Sequence, residues 1–315
     1  MLGDVLERFV EKSPRSGMVR ATLERVLGAD RLDLWYERTA EKPYTRELLF
    51  SPVSDLMRPV VLCVQPSVRA ASLAHAADVG PSMVSVYNKL HGLETRTSAA
   101  LVRYHARECA PLIAQMEGER APGLEGDRVT MVDGHGLEAS AHRLKDLREA
   151  TGRALPGTSL VVYALASGVV TDVFPGEDGQ AQARARLGAV RATVAAAALW
   201  IAARHFCPRT FLGAMATRGG VFVLRHHPGG PCEIVSPLRS DDRTPTGHLA
   251  QQRVWGVDEH GATHVWRRLR RTWEHPTRPG APLLHLLTNL PRQRSAPRVA
   301  PLARHRWTWE PACHQ

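Results

Sequence analysis

The chain has 315 residues, 43% of them apolar, 23% charged and 6% aromatic, with 41 Lys and Arg set against 31 Asp and Glu, a formal net charge of +10. That length suggests about two domains with buried cores, and the balance excludes collagen-like, coiled-coil and wholly disordered classes. The five cysteines, Cys63, Cys109, Cys207, Cys232 and Cys313, are odd in number and never form a Cys-x-x-Cys pair. They support neither a disulfide framework nor a zinc knuckle, and they fit a reducing cytoplasm.

From Met1 to Ser13 the apolar residues are interrupted by Asp4, Glu7, Arg8, Glu11 and Lys12, a pattern that no secretory h-region tolerates. The longest nearly apolar run, Ala192 to Ala203, is about half of the roughly 20 residues that a bilayer-spanning helix requires. The expectation is a cytoplasmic protein with no membrane span. Residues 1–120 read as helices, with apolar positions recurring at three and four in Leu6, Phe9 and Val10 and again in Leu101, Val102, His105, Cys109 and Leu112. Within them, Val68 to Leu90 has the parts of a helix-turn-helix. A small-residue helix runs from Ala70 to Ala77, Gly80-Pro81-Ser82 forms the turn with Ser82 or Asp78 as cap, and Met83 to Leu90 forms a second helix with Tyr87, Asn88 and Lys89 exposed. Ordinary helical bundles use the same parts, so groove reading and plain packing both stand at this point.

Charge, Gly and Pro concentrate between Glu117 and Asp127, which marks a linker. Beyond it the period changes. Arg128 to Val132, Ser159 to Ala164 and Gly168 to Phe174 read as strands, the last two paired through a turn. Gln180 to Ala198 reads as a helix, and Leu199 to Ala203 and Gly220 to Arg225 as further strands. The order predicts a mixed α/β sheet of the ribonuclease-H-like kind, with a helix on each side of a central parallel strand, preceded by the helical domain. Further strands over Gln252 to Val257, Thr263 to Leu269 and Leu283 to Thr288 predict a β-rich insertion. The expected domains are 1–120, helical; 121–230, the first part of the sheet domain; 231–290, the insertion; and 291–315, a C-terminal segment.

The charge is uneven along the chain. Residues 251–315 hold 11 bases against 4 acids and supply +7 of the +10, with Arg267, Arg268, Arg270 and Arg271 in one dense run. Arginine's planar fork suits phosphate oxygens, and counterion release from a duplex rewards basic side chains whatever the sequence. The asymmetry therefore points to nucleic acid, although charge runs also form ordinary solvated faces.

Specific residues then carry a resemblance. Met131-Val132-Asp133-Gly134-His135, His142-Arg143-Leu144-Lys145, Leu155-Pro156-Gly157 and Leu160-Val161-Val162-Tyr163 are followed by Val173-Phe174-Pro175 with Glu177-Asp178-Gly179. After these come Leu199-Trp200-Ile201-Ala202, Thr288-Asn289-Leu290-Pro291, and Arg306-Trp307 with Glu310. In this order and spacing the chain resembles bacterial insertion-sequence transposases of the IS-four type, a DDE family. Upstream, Tyr44 to Phe50 and Tyr87-Asn88-Lys89-Leu90 are similar to that family's N-terminal region. The resemblance implies a DNA transposase acting on double-stranded inverted repeats, as a homodimer on DNA, through two Asp and one Glu that hold Mg²⁺ ions. It assigns the first aspartate to Asp133 and the glutamate to Glu310, both as metal ligands, and keeps Arg306 in its third block. The candidate DNA contacts are Arg267, Arg268, Arg270 and Arg271 from the charge cluster, Arg143 and Lys145 on the loop after Asp133, where a solvated face is the alternative, and Arg306.

The chain departs from that pattern at two places. The second aspartate position is Ala203, whose methyl group cannot ligate a cation. In the third block the tyrosine position is Ala303 and the lysine falls at 317, past Gln315, so the expectation is a C-terminally shortened copy. Pro297, Pro301 and Pro311 oppose a long helix there. The sequence thus leads to a transposase by descent with impaired catalysis, the alternatives being a non-catalytic DNA-binding repressor of related transposons and a decayed remnant.

Overall fold

A computed structural model describes residues 11–43, 48–74, 82–120, 128–137, 157–176, 186–203, 206, 209–227, 232–244, 247–258, 260–274 and 283–305. The chain divides into two units, Met1–Glu117 and Gly118–Gln315. Among the described residues no helix is long and apolar enough to cross a membrane.

The first unit is helical: α1 (Pro14–Val26), α2 (Ala29–Thr39), α3 (Phe50–Val61), α4 (Val68–Ala74), α5 (Met83–His91) and α6 (Thr95–Gln115). Leu32 and Tyr36, four apart on α2, are both buried, as one helix face requires. The Tyr36 ring stacks on Phe50 at 4.8 Å between centroids. The Asp33 carboxylate accepts from the backbone N–H of Ser51 at 2.8 Å and from its hydroxyl at 2.6 Å, which satisfies an orphan donor at the start of α3. The Tyr104 hydroxyl donates to the Val26 carbonyl at 2.9 Å and ties α6 to the end of α1.

Both helices of the expected helix-turn-helix form, as α4 and α5, and Ser82 caps α5 by accepting from the Ser85 N–H; the turn itself lies outside the described residues. Lys89 corrects the expectation of an exposed Tyr-Asn-Lys face. It shares the buried face of α5 with Val86, its ammonium sits 4.6 Å from the Tyr36 ring centre, and burial lowers its pKa.

The second unit is built on one sheet. Its strands are β1 (Arg128–Leu137), β2 (Gly157–Ala164), β3 (Val169–Gly176), β4 (Ala198–Ala202), β5 (Val221–Arg225), β6 (Glu233–Ile234), β7 (Arg239–Thr244), β8 (Gly247–Val257), β9 (Thr263–Trp273) and β10 (Leu283–Thr288). They lie in the order β3-β2-β1-β4-β5-β10-β9-β8-β6, with β7 also on β8. β1, β2 and β3 pair antiparallel, whereas β1, β4 and β5 run parallel. The expected insertion forms no separate layer, because β10 pairs antiparallel with β5 and carries β9 and β8 on as an extension of the same sheet.

Two helices connect the parallel strands, α7 (Leu187–Thr193) before β4 and α8 (Arg209–Thr217) after it. Both pack on one face of the sheet, Leu187, Val190, Phe211, Leu212 and Met215 meeting Val132, Trp200, Phe222 and Leu224. This corrects the expectation of a helix on each side. Right-handed crossovers that move in one direction across parallel strands put their helices on the same face. The opposite face, with Val129, Met131, Leu199, Ile201 and Val223, is covered by Ala296, Val299, Ala300 and Leu302 from α9 (Ala296–Val299) and the 3₁₀ turn Ala300–His305.

Within the span expected to be one long helix, Gln180 to Ala198, the described helix is only Leu187–Thr193, and Ala197 at φ 60° turns the chain into β4. The Thr-Asn-Leu-Pro motif has a structural role. The Asn289 amide accepts from Phe222 N–H and donates to Gly220 carbonyl, both at 2.8 Å, acting as a strand partner at the start of β5.

Candidate metal and nucleic-acid site

Side chains on β1 alternate between the two faces. Val129 and Met131 belong to the face covered by α9, and Val132 to the other, so Asp133 is directed to the α9 side. It pairs with Val161 of β2 and is half-buried, its Oδ1 accepting from the Gly134 N–H at 2.9 Å.

The parallel register of β1 and β4 runs up to Val132 opposite Ala202. Continued by one step, this register sets the backbone of Asp133, inside β1, beside that of Ala203, the residue that follows β4, across strands spaced by roughly 4.8 Å. Ala203 is buried, and its methyl packs with the cluster under α7 and α8, while its carbonyl accepts from the Phe206 N–H. Positions 133 and 203, seventy residues apart in sequence, thus adjoin in backbone, with the Asp133 side chain and the Ala203 methyl on opposite faces of the sheet.

On the Asp133 side the chain arrives through α9, with Pro297 in its first turn, and tightens into the 3₁₀ turn that ends at His305. Pro297 and Pro301 therefore yield two short helical pieces. Glu310, Arg306, Arg143 and Lys145 lie outside the described residues. Among the described residues no group of three His, Cys, Asp or Glu side chains is arranged to hold a metal ion.

The arginine run is split by the two-residue period of β9. Arg267 is 7% exposed. Its guanidinium donates to the Gln251 amide oxygen at 2.8 and 3.2 Å and to the carbonyls of Leu290, Pro291 and Arg294 at 3.2, 2.9 and 2.9 Å. It is a staple for the segment that leads into α9. Arg271 is also buried, 4.0 Å from the Trp273 ring centre, and Arg304 lies over the same ring at 5.5 Å. Burial first, then Arg304, lowers the Arg271 pKa. Both residues are occupied inside the protein, which corrects the picture of one continuous phosphate-facing patch. Arg268 and Arg270 are half-buried on the other face of β9.

Sequence reasoning missed Asp258. Its carboxylate closes the β8–β9 hairpin by accepting from His264 Nε2 at 2.8 Å and from the N–H groups of His260 and Ala262, both at 2.9 Å. The His264 ring stacks on Trp266. The hydrogen bond from His264 is the main cause that moves the Asp258 pKa from 3.8 down to about 2; burial opposes the shift, and the two backbone donors add to it. A carboxylate whose pKa is depressed by folding stabilises the fold above its unfolded pKa and loses that contribution as pH falls through the folded value. Acid titration of the wild type is therefore expected to show a loss of stability between about pH 4 and pH 2 that Asp258→Asn lacks. Parallel curves for the two proteins in urea melts across that window would refute it. The sequence signal was an Asp four residues before Ala262 in a Gly-containing hairpin turn, a pattern typical of Asx turns.

No family model and no curated protein matches the chain. Among solved structures the chain is similar to that described as a piggyBac transposase synaptic complex with hairpin DNA, determined by cryo-EM, at 9% identity and a TM-score of 0.35. The match covers 86% of this chain, which spans 60% of the length of that one.

Proposed function

We propose that this chain is a transposase-type protein of the three-carboxylate class, directed to the double-stranded inverted repeats of an insertion sequence, whose catalytic set has lost its middle member. The observation that supports this reading is that the parallel register of β1 and β4, continued by one step, sets the backbones of Asp133 and Ala203 side by side. They lie in a sheet ordered β3-β2-β1-β4-β5 with the first three strands antiparallel, the order of a ribonuclease-H-like core. In that class of site two aspartates at these places and one glutamate from the C-terminal segment would hold divalent cations. The residues present do not fit a two-metal clamp, since Ala203 offers a methyl group where hard cations need anionic oxygen. No chemical step through a metal is therefore assigned to this chain, and Asp133 with Glu310 is proposed as the remnant of the set.

What remains on this reading is DNA binding, with Arg268 and Arg270 on β9 and Arg143, Lys145 and Arg306 as backbone contacts, and two copies of the chain meeting on DNA. The retained sheet order beside a lost ligand equally favours a non-catalytic occupant of transposon ends that represses active copies. The full chain is expected to bind a duplex carrying the inverted repeats that flank its own coding sequence more tightly than a random duplex. The logarithm of affinity should fall linearly with log salt at a slope of about −3 or steeper, since each neutralised phosphate contributes roughly −0.9. Fluorescence anisotropy measures both. Equal affinity for the two duplexes would remove the end-recognition reading, and ready Mg²⁺-dependent strand cleavage would show that another residue replaces the missing carboxylate.

A further inference from the structure

On the face of the sheet opposite Asp133, the extension β5-β10-β9-β8 assembles a second cluster of polar side chains. The register sets Arg270 against His285, and Arg268 between Leu287 and Gln252. His226 follows the end of β5, its N–H bonded to the His285 carbonyl at 2.8 Å. His226, His285 and Arg270 therefore form one row across three strands, with Arg268 and Gln252 in the next. With its amide oxygen turned to Arg268, Gln252 accepts from that guanidinium at 3.0 Å.

Three properties of the cluster are unusual for a structural one. His226 is only 4% exposed, yet both of its ring nitrogens lack a hydrogen-bond partner among the described residues, as do His285 Nδ1 and Arg270 Nε. An unsatisfied buried donor or acceptor carries its desolvation penalty without compensation, and native proteins hold few of them. Burial, followed by Arg268, His285 and His227, lowers the His226 pKa to about 4, and burial with Arg268, Arg270 and His227 lowers that of His285. Among the described residues no carboxylate contributes to either shift, so the positive charge of the two guanidiniums has no counter-charge there.

We propose that this cluster is an oxyanion site that takes a phosphate group, with Arg268 and Arg270 supplying charge-assisted donors and the imidazoles of His226 and His285 supplying further donors. A tetrahedral anion with several acceptor oxygens answers the uncompensated charge and takes the N–H of each neutral imidazole, and guanidinium forks suit it. A water or a neutral amide would answer only the second. The phosphate can belong to a nucleic-acid backbone or be free in solution. The cluster spans positions two to four strands from Asp133, on the order of 10–20 Å along the sheet, and rests on observations independent of the transposase reading.

The test compares the full-length wild type with Arg268→Gln/Arg270→Gln, both of whose arginines are half-buried, with urea melts of the two proteins as the check that the variant folds. Inorganic phosphate is expected to raise the wild-type melting temperature above that in chloride of equal ionic strength, and the double variant should lose this difference. If the source is a backbone, the variant's affinity for a short random duplex should also fall by about tenfold or more. If duplex affinity is unchanged while the phosphate effect is lost, the site stands and serves free phosphate. No phosphate effect in the wild type, or an effect that survives in the variant, overturns the proposal, even where duplex binding weakens, since that pattern describes a surface contact. Failure of both proteins to bind DNA while the phosphate effect behaves as expected would count against the transposase reading alone.

Discussion

Replacing Arg267 by Met is expected to destabilise the second unit by about 3–5 kcal/mol, the range for breaking a buried, fully engaged charged group. The guanidinium holds three backbone carbonyls and the Gln251 amide. Its loss leaves those acceptors desolvated without donors, each costing on the order of 1–3 kcal/mol before relaxation. Lys should rescue only part of the effect, because an ammonium cannot present a planar fork to acceptors on both sides. The exposed Arg298 provides the control, where Met should change stability by about 0.5 kcal/mol or less. Urea denaturation followed by tryptophan fluorescence measures the difference, and a loss under about 1 kcal/mol for Arg267→Met would show that the carbonyls of 290–294 find water at little cost.

Gly247→Ala carries the second large effect. Gly247 opens β8 at φ 144°, in a region that L side chains rarely adopt. A Cβ there would stand 1.9 Å from the Thr272 carbonyl oxygen of the paired β9. The obstacle is ladder backbone, which cannot swing aside as a side-chain tip can. Together the clash and the strained conformation should cost about 3–5 kcal/mol and open the hairpin end where Thr244 Oγ1 donates to the Gly247 carbonyl at 2.8 Å. The same urea series tests it. A variant within about 1 kcal/mol of wild type would mean that β8 and β9 part there freely.

Several parts of this fold are legible in the sequence for simple reasons. The runs Arg128 to Val132, Ser159 to Ala164 and Leu199 to Ala203 are rich in β-branched and apolar residues between turn signals, and strands form over them, the last ending at Ala202. The pairing of β10 with β5 was not legible, because alternation reports which face a residue takes and says nothing about which strand lies beside it. Arg267 to Arg271 read as one patch because charge was summed along the chain, whereas in a strand neighbouring residues point to opposite faces, so the run divides into two buried residues and two half-buried ones. Lys89 read as exposed because of its charge, yet its place three residues after Val86 puts it on the packed face of α5, where the aliphatic stem is covered and the ammonium meets the Tyr36 ring. The adjoining of 133 and 203 came from the resemblance alone; no periodicity contains it. The Asp258 turn and the His226–His285 cluster were missed because each depends on strand register.

The central proposal is that no divalent cation is shared between Asp133 on β1 and the residue that follows β4, because position 203 offers a methyl group packed on the face of the sheet away from Asp133. Manganese binding, followed by the loss of free-ion electron paramagnetic resonance signal, tests this most directly. Wild type is expected to bind Mn²⁺ no more tightly than Asp133→Asn. Binding by wild type at least about tenfold tighter than by Asp133→Asn, a difference of about 1.4 kcal/mol, would contradict the account.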